Sequence, residues 1–158
     1  MAREIIGFLL VLLVLSVAFR IRRTVSERKK LEEAQLSPPS GAIGGLEVGK
    51  ALYVATVYAT DPLKKVWAHG LGSRGRAKVF ASEDGISIER AGEQDFAILA
   101  DQLKGLTRES ATIDKGVEPG GLIAIHWRLG NEELITHLRV SGDQQVFYTT
   151  LNQNTGGI

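Results

Sequence analysis

Cysteine is absent from this 158-residue chain, and its absence excludes disulfide bonds and thiolate ligands for a metal ion. Aromatic residues are scarce, at 6% of the chain, and only three histidines are present. Neither charge dominates, since 19 Lys and Arg stand against 18 Asp and Glu. A dedicated nucleic-acid-binding protein usually carries a strong basic field, so this balance predicts no nucleic-acid partner.

Long apolar runs are also lacking, with one exception. Residues Ile5 to Phe19 carry no charge and are followed directly by Arg20, Arg22 and Arg23. A helix over residues 5–21 would be about 25 Å long, close to the ~30 Å hydrocarbon core of a bilayer. The run therefore predicts a transmembrane helix over residues 5–21, after a short extracytoplasmic segment of residues 1–4. A secretory signal peptide would need a polar end, and a buried core helix would need a polar face, so both alternatives fit less well.

The charges beside this run predict its orientation. Six Lys or Arg follow it within about a dozen residues, whereas Arg3 alone precedes it. Basic residues stay on the cytoplasmic side of a membrane. We therefore expect a single-pass protein of the cell (inner) membrane with its N-terminus outside and its C-terminal domain in the cytoplasm. Arg20, Arg22 and Arg23 would lie at the membrane interface.

Residues 22–49 predict a basic juxtamembrane stalk that leads into a linker. Pro38 and Pro39, with several glycines behind them, end any helix at this point. We place the domain boundary at Lys50, so that residues 50–153 form one domain and residues 154–158 a frayed tail. This domain region is nearly neutral, with twelve Lys or Arg against thirteen Asp or Glu from Lys50 to Ile158.

Short β-branched and aromatic runs, separated by turn residues, predict about seven antiparallel strands. The candidate strands are residues 51–59, 66–68, 76–82, 86–89, 96–98, 106–113, 122–129 and 134–140. After Ser141, the apolar spacing of Val146, Phe147 and Leu151 predicts an amphipathic helix. The expected fold is a mainly β domain, a curled sheet or split barrel capped by a C-terminal α-helix. The predicted core consists of Leu52, Val54, Val79, Ile86, Ile88, Ile98, Leu106, Ile123, Ile125, Trp127, Leu138, Phe147 and Leu151.

Three stretches resemble a known family: residues 68–77 (AHGLGSRGRA), 117–122 (VEPGGL) and 127–129 (WRL). Together with the order of strands and helix, they resemble actinobacterial single-span membrane proteins with a pleckstrin-homology-like (PH-like) domain. The resemblance covers nearly the whole chain, and members of that family are often encoded near pyrimidine-biosynthesis genes. It implies the fold and the topology, and it brings no established activity.

One glycine-rich segment contains the candidate contact residues. Residues 70–75 match G-x-G-x-x-G, but a strand pattern follows them, so a dinucleotide-binding βαβ unit is not expected. The surrounding cations are candidates for contact with an anionic lipid headgroup or a protein partner: Lys64, Lys65, Arg74, Arg76 and Lys78. Their spacing is similar to the basic pattern of lipid-binding PH domains. A solvated basic turn is the simpler interpretation of the same residues.

No catalytic constellation is visible in the sequence. His126 and His137 fall on neighbouring predicted strands without a metal-ligand spacing. Ser73 lacks the context of a nucleophile elbow. We therefore expect no enzyme activity and no cofactor.

The sequence thus predicts a membrane-tethered PH-like binding or scaffold module. It would recruit a protein partner, such as a cytosolic biosynthetic enzyme, to the inner membrane. Sensing of an anionic lipid headgroup through residues 64–78 is the alternative hypothesis. A third is a role as an accessory subunit of a transport or export complex.

Overall fold

The structure, a computed structural model, describes residues 2–109 and 121–157, with side chains from residue 6 onward. A long helix, α1 (Ala2–Gln35), precedes eight strands and a closing helix, α2 (Gln144–Asn154). A short 3-10 turn occupies Ala68–Gly70. The strands are β1 (Leu46–Tyr58), β2 (Asp61–Lys65), β3 (Gly75–Ser82), β4 (Gly85–Arg90), β5 (Phe96–Leu99), β6 (Leu103–Glu109), β7 (Leu122–Leu129) and β8 (Glu132–Val140).

All eight strands belong to one antiparallel sheet that does not close into a barrel. Seven of them follow the order β5-β4-β3-β1-β8-β7-β6, and β2 pairs with the end of β1. The predicted mainly β domain with a C-terminal helix is confirmed. The strand predicted over residues 106–113 is present up to Glu109, and residues 110–113 lie outside the described part of the chain. The strand predicted at residues 66–68 is wrong, because this segment leads from β2 into the 3-10 turn.

The core lies on the inner face of the curled sheet and is closed by α2. Phe147 and Leu151 of α2 are buried in the same cluster as Trp127 and the aliphatic side chains of the inner face. Twelve of the thirteen predicted core residues are buried, and Leu52 is the exception. Tyr53 occupies the core instead, because the register of β1 against β8 shifts between Tyr53 and Ala55. Such a bulge reverses the faces of a strand, and simple alternation does not reveal it.

The end of α1 packs on the domain rather than standing apart from it. Leu36, one residue beyond α1, is buried in the core. The Glu32 carboxylate accepts hydrogen bonds from the backbone amides of Trp67 at 2.6 Å and Ala68 at 3.2 Å. The chain then runs along the sheet edge, where the amide of Ala97 donates to the carbonyl of Ser40 at 2.7 Å. This contact covers the β5 edge.

The prediction of a single-pass membrane location is wrong. Among the residues that the structure describes, no helix combines the length and the apolar character needed to cross a membrane. The helix α1 has 34 residues, but Arg20, Arg22 and Arg23 interrupt its apolar part. The uncharged stretch of residues 6–19 would cover only about 21 Å of a ~30 Å hydrocarbon core. The deduced orientation and the bilayer contact, which depended on a span, are not supported either.

Candidate functional site

The outward face of β1, β3 and β4 carries the candidate site. Ala51 pairs with Ala77 across β1 and β3, and both are buried against the core. Since neighbouring positions on a strand point to opposite faces, the next cross-strand pairs point outward. These are Lys50 with Lys78 and Leu52 with Arg76.

Two strands beside this pair complete the face. On β4, Glu89 lies opposite Lys78. On β8, Arg139 lies opposite Leu52. Leu52 is half-buried and thus forms an apolar floor between Arg76 and Arg139, whose side chains are exposed. The face therefore presents four cations, one carboxylate and one leucine.

A cleft of about 760 Å³ opens over this face, and we call it the basic cleft. It is lined by Lys50, Ala51, Leu52, Arg76, Ala77, Lys78, Glu89, Arg90, Ala91, Asp95 and Ser141. Lys50, Arg76 and Lys78 are exposed, so their charges are available to a ligand. Lys50 and Lys78 stand directly opposite each other, an arrangement that destabilises a sheet unless an anion relieves it.

One wall of the basic cleft is held rigidly from inside. The Arg90 guanidinium is buried and donates to the carbonyl oxygen of Gly70 at 2.7 Å. It lies 5.0 Å from the ring centroids of both Tyr53 and Phe96. Asp95 accepts a hydrogen bond from the backbone amide of Arg90 at 2.7 Å. Because Arg90 contacts the protein interior, its charge adds little to the exposed face.

A comparison with protein-family models matches residues 34–155 to the bacterial PH domain-like family. The chain belongs to this family. No curated protein matches the chain. The match confirms the PH-like fold expected from the sequence. PH-like domains are typically non-catalytic binding modules, so the family is consistent with a binding or scaffold role.

The PH-like domain does not bring all five predicted contact residues together. Arg76 and Lys78 line the basic cleft, whereas Lys64 and Lys65 lie on β2. Lys65 pairs with Val57 of β1 and Arg76 pairs with Leu52, a difference of five positions along β1. At about 3.3 Å per residue, the backbone positions of the two groups are roughly 16 Å apart along β1.

The lysines of β2 border a second, smaller cavity, which we call the hairpin pocket. Its volume is about 380 Å³, and it is lined by Arg28, Asp61, Leu63, Lys64, Lys65 and Trp67. Lys64 Nζ lies 4.7 Å from the centroid of the Tyr58 ring. Arg74, the fifth predicted residue, is exposed just before β3. The five cations that were predicted to form one contact site therefore lie on different surfaces.

The three arginines predicted to lie at a membrane interface are on α1, before the matched residues 34–155. Arg20, Arg22 and Arg23 are exposed there. Arg23 pairs with Glu27 one helical turn away, with its Nε 2.9 Å from the carboxylate. Nothing in their surroundings brings these arginines into the basic cleft.

The G-x-G-x-x-G segment of the PH-like domain has no phosphate-binding geometry. A 3-10 turn and then β3 follow β2, so no helix N-terminus faces the glycines. His69 and Gly70 adopt positive φ angles of 52° and 69°, which fold the segment back on the domain. Nucleotide binding, which the sequence also disfavoured, has no support in this arrangement.

Three titratable residues meet on the outer face of β6, β7 and β8. His137 Nε2 lies 3.1 Å from one oxygen of Glu109, and His126 Nε2 lies 3.9 Å from the other. Burial lowers the pKa of His137, and the hydrogen bond to Glu109 opposes this shift. Within residues 6–109 and 121–157, no group of three or more His, Cys, Asp or Glu could hold a metal ion.

Four residues of the site were not predicted from the sequence: Lys50, Leu52 and Glu89, which line the basic cleft, and Arg139, which lies opposite Leu52 beside it. They lie on β1, β4 and β8, and strand pairing alone brings these segments together. One signal was present, because Lys50 and Leu52, like Arg76 and Lys78, are two positions apart and so share a face. The sequence did not tell which of these faces would be neighbours.

Proposed function

We propose that this PH-like domain is a binding or scaffold module that recruits a partner protein through the basic cleft. The observation that carries the proposal is the excess of exposed cations there, with Lys50 directly opposite Lys78. Like charges directly opposite each other cost stability, and a bound anion would offset that cost. Two exposed carboxylates, Glu89 and Asp95, also line the cleft, fewer than its exposed cations, so the cleft favours an anionic ligand.

The shape of the basic cleft favours a protein surface over a small molecule. Small-molecule sites usually enclose most of their ligand between apolar walls. Here the cationic side chains are exposed, and the cleft lies open on the face of the sheet. A polypeptide that lies on this face could contact Leu52 and the surrounding charges together. The idea that the partner is a biosynthetic enzyme comes from the resemblance alone and stays a prediction.

The separation of the cations argues against one headgroup site in residues 64–78. Recognition of a phosphorylated headgroup needs several cations around one small anion. Lys64 and Lys65 lie roughly 16 Å along β1 from Arg76, too far to share it. A protein partner at the basic cleft therefore fits the geometry better.

Site-specific crosslinking in cells tests this proposal. A photoreactive amino acid replaces Arg139, which lies opposite Leu52 beside the basic cleft, and in a second chain it replaces exposed Lys104 of β6. We expect one defined protein to crosslink from position 139 and not from position 104. Crosslinking of that protein from both positions, or from position 104 alone, would place the contact elsewhere.

A variant that fills the cleft without changing its charge provides the control. Ala91 lines the basic cleft and is exposed, so Ala91→Trp should block it and abolish the crosslink from position 139. Ala100 is exposed in the turn after β5, outside the cleft, and Ala100→Trp should leave the crosslink intact. Equal crosslinking by both variants would contradict recruitment through this cleft.

A further inference from the structure

We propose that the basic cleft binds an extended acidic segment of the partner, with carboxylates at alternate positions. This inference rests on the proposed function, since it names the chemistry of the segment that the cleft would hold. The geometry of the face carries it. Two levels of cations occur along the strands, Lys50 with Lys78 at one level and Arg76 with Arg139 at the next.

The distance between these levels matches an extended peptide. Lys50 and Leu52 are two residues apart on β1, as are Lys78 and Arg76 on β3. Two residues of a strand span about 6.6 Å. In an extended ligand, side chains at positions i and i+2 point the same way at this same spacing. Two acidic residues in an acid-x-acid pattern would therefore face both levels at once.

The surroundings of each level fit a carboxylate. At the first level, one carboxylate between Lys50 and Lys78 relieves the repulsion across the strands. At the second level, Arg76 and Arg139 flank Leu52, so guanidinium groups surround an apolar contact. The aliphatic part of a glutamate would pack on Leu52 while its carboxylate accepts hydrogen bonds from an arginine.

The backbone of the basic cleft disfavours a compact phosphate ligand. Sites for phosphate groups commonly use free backbone amides from loops or helix N-termini. Here the cations stand on β1, β3 and β8, and the backbone of β1 pairs with both of its neighbours across this face. Side chains are thus left as the donors, spread over two levels. That spread suits separate carboxylates along a chain better than one clustered anion.

Peptide binding to the purified full-length chain tests the inference by fluorescence anisotropy. The probe is a labelled peptide of alternating glutamate and alanine, and its matched control carries lysine in place of glutamate. We expect the acidic peptide to bind at about 50 mM salt and to weaken strongly by about 500 mM, because exposed charges are screened. The lysine peptide should not bind.

Paired variants locate the binding. Arg76→Gln with Lys78→Gln should weaken binding of the acidic peptide about tenfold, since both cation levels lose a donor. Lys64→Gln with Lys65→Gln removes the same charge from the hairpin pocket and should change the affinity less than about twofold. Equal losses in the two variants, or no binding of the acidic peptide, would overturn the inference.

Two further outcomes would also refute it. Tighter binding of inositol hexakisphosphate than of the acidic peptide, lost on Arg76→Gln with Lys78→Gln, would assign the cleft to clustered phosphates. The second outcome concerns the protein that crosslinks from position 139. Its crosslink could be lost in Ala91→Trp and yet be kept in Arg76→Gln with Lys78→Gln. In that case recruitment through the cleft would stand, and the acidic segment would not.

Discussion

A chain of hydrogen bonds between four buried side chains links β1, β7 and β8. The hydroxyl of Tyr53 donates to the carbonyl of Leu71 at 2.7 Å and lies 2.6 Å from Thr56 Oγ1. Thr56 Oγ1 lies 2.7 Å from Thr136 Oγ1, which accepts from Trp127 Nε1 at 2.9 Å. Burial raises the pKa of Tyr53 to about 12, so its hydroxyl keeps its proton. These buried polar groups are satisfied by one another.

Thr136→Val tests the contribution of this network to stability. The change keeps the shape of the side chain but leaves the indole N–H of Trp127 without its acceptor in the core. We expect the free energy of unfolding to fall by about 1–3 kcal/mol, the usual cost of an unsatisfied buried donor. Urea denaturation followed by tryptophan fluorescence measures it. Thr60→Val, at an exposed turn, is the control, and an equal loss there would refute the prediction.

Stability should fall on acidification because of His137. Its Nδ1 is buried and has no hydrogen-bond partner among the described residues, so a proton there would be unsatisfied. Burial is the largest cause of its lowered pKa, against a contribution from Glu109 that raises it. In the unfolded chain the imidazole titrates near pH 6.5. Below that pH the unfolded state binds more protons than the native state, and stability declines.

The measurement compares the free energy of unfolding at about pH 7.5 and about pH 5.5. We expect a decrease at the lower pH that becomes smaller in His137→Gln, which has no titrating ring. His126→Gln is the matched control, because His126 is less buried and faces the same Glu109. If His137→Gln kept the full decrease, another group would be responsible.

At the scale of elements, α2 illustrates a boundary that the sequence predicted well. The sequence predicted a helix after Ser141, and Asp143 caps α2 by accepting from the amides of Gln145 at 2.8 Å and Val146 at 3.0 Å. An aspartate before the helix and the spacing of Phe147 and Leu151 within it are both local sequence signals. Both depend on neighbours in the chain, so the sequence alone reveals them.

Removal of this cap should weaken the closing helix. Asp143→Ala leaves two amides of the first turn without an acceptor, and we expect a loss of about 1 kcal/mol in the free energy of unfolding. Asp143→Asn keeps a side-chain oxygen at the same place and should cost far less. Thermal unfolding followed by circular dichroism distinguishes the variants. An asparagine variant as unstable as the alanine variant would mean that the charge, and not the cap, matters.

Strand β1 illustrates what local patterns do not reveal. Its register shifts between Glu47 and Gly49, between Tyr53 and Ala55, and between Val57 and Tyr58. The first two shifts each place an extra residue in β1 and so change which of its positions face the core. Alternation thus placed Leu52 in the core, whereas it lies on the floor of the basic cleft. Because of this error, the sequence did not identify Leu52 as the apolar residue at the centre of the candidate site.

At the scale of the whole molecule, long-range pairing decides the candidate site. The sequence predicted the strands and most of the core, because period and turn residues are local signals. It did not predict the neighbours of β1, since β8, which pairs with one edge of β1, is the last strand of the chain. The sequence therefore did not predict that Lys50, Lys78 and Arg139 lie on one face. It also suggested that Lys64 and Lys65 lie closer to Arg76 than they do.

The junction between α1 and the sheet is the other long-range feature. A linker was expected over the Pro- and Gly-rich part of residues 22–49, and several contacts hold this segment against the domain. His69 Nε2 lies 2.8 Å from the carbonyl oxygen of Leu36, and the amide of Ile43 donates to Ser87 Oγ at 2.8 Å. The family match also begins at residue 34, within the last turn of α1. The end of α1 therefore behaves structurally as part of the PH-like domain.

Two leucines near the end of α1 test this conclusion in the full-length chain. The side chain of Leu36 is only 4% exposed and contacts the core, whereas Leu31, on the last turns of α1, is 65% exposed. Truncation of a buried leucine removes apolar contacts and leaves a cavity, so Leu36→Ala should lower the free energy of unfolding by about 2–5 kcal/mol. Leu31→Ala should change it by less than about 0.5 kcal/mol, as expected for a surface site. Urea denaturation followed by tryptophan fluorescence measures the stability of both variants. Equal effects of the two substitutions would mean that the end of α1 adds nothing to the domain.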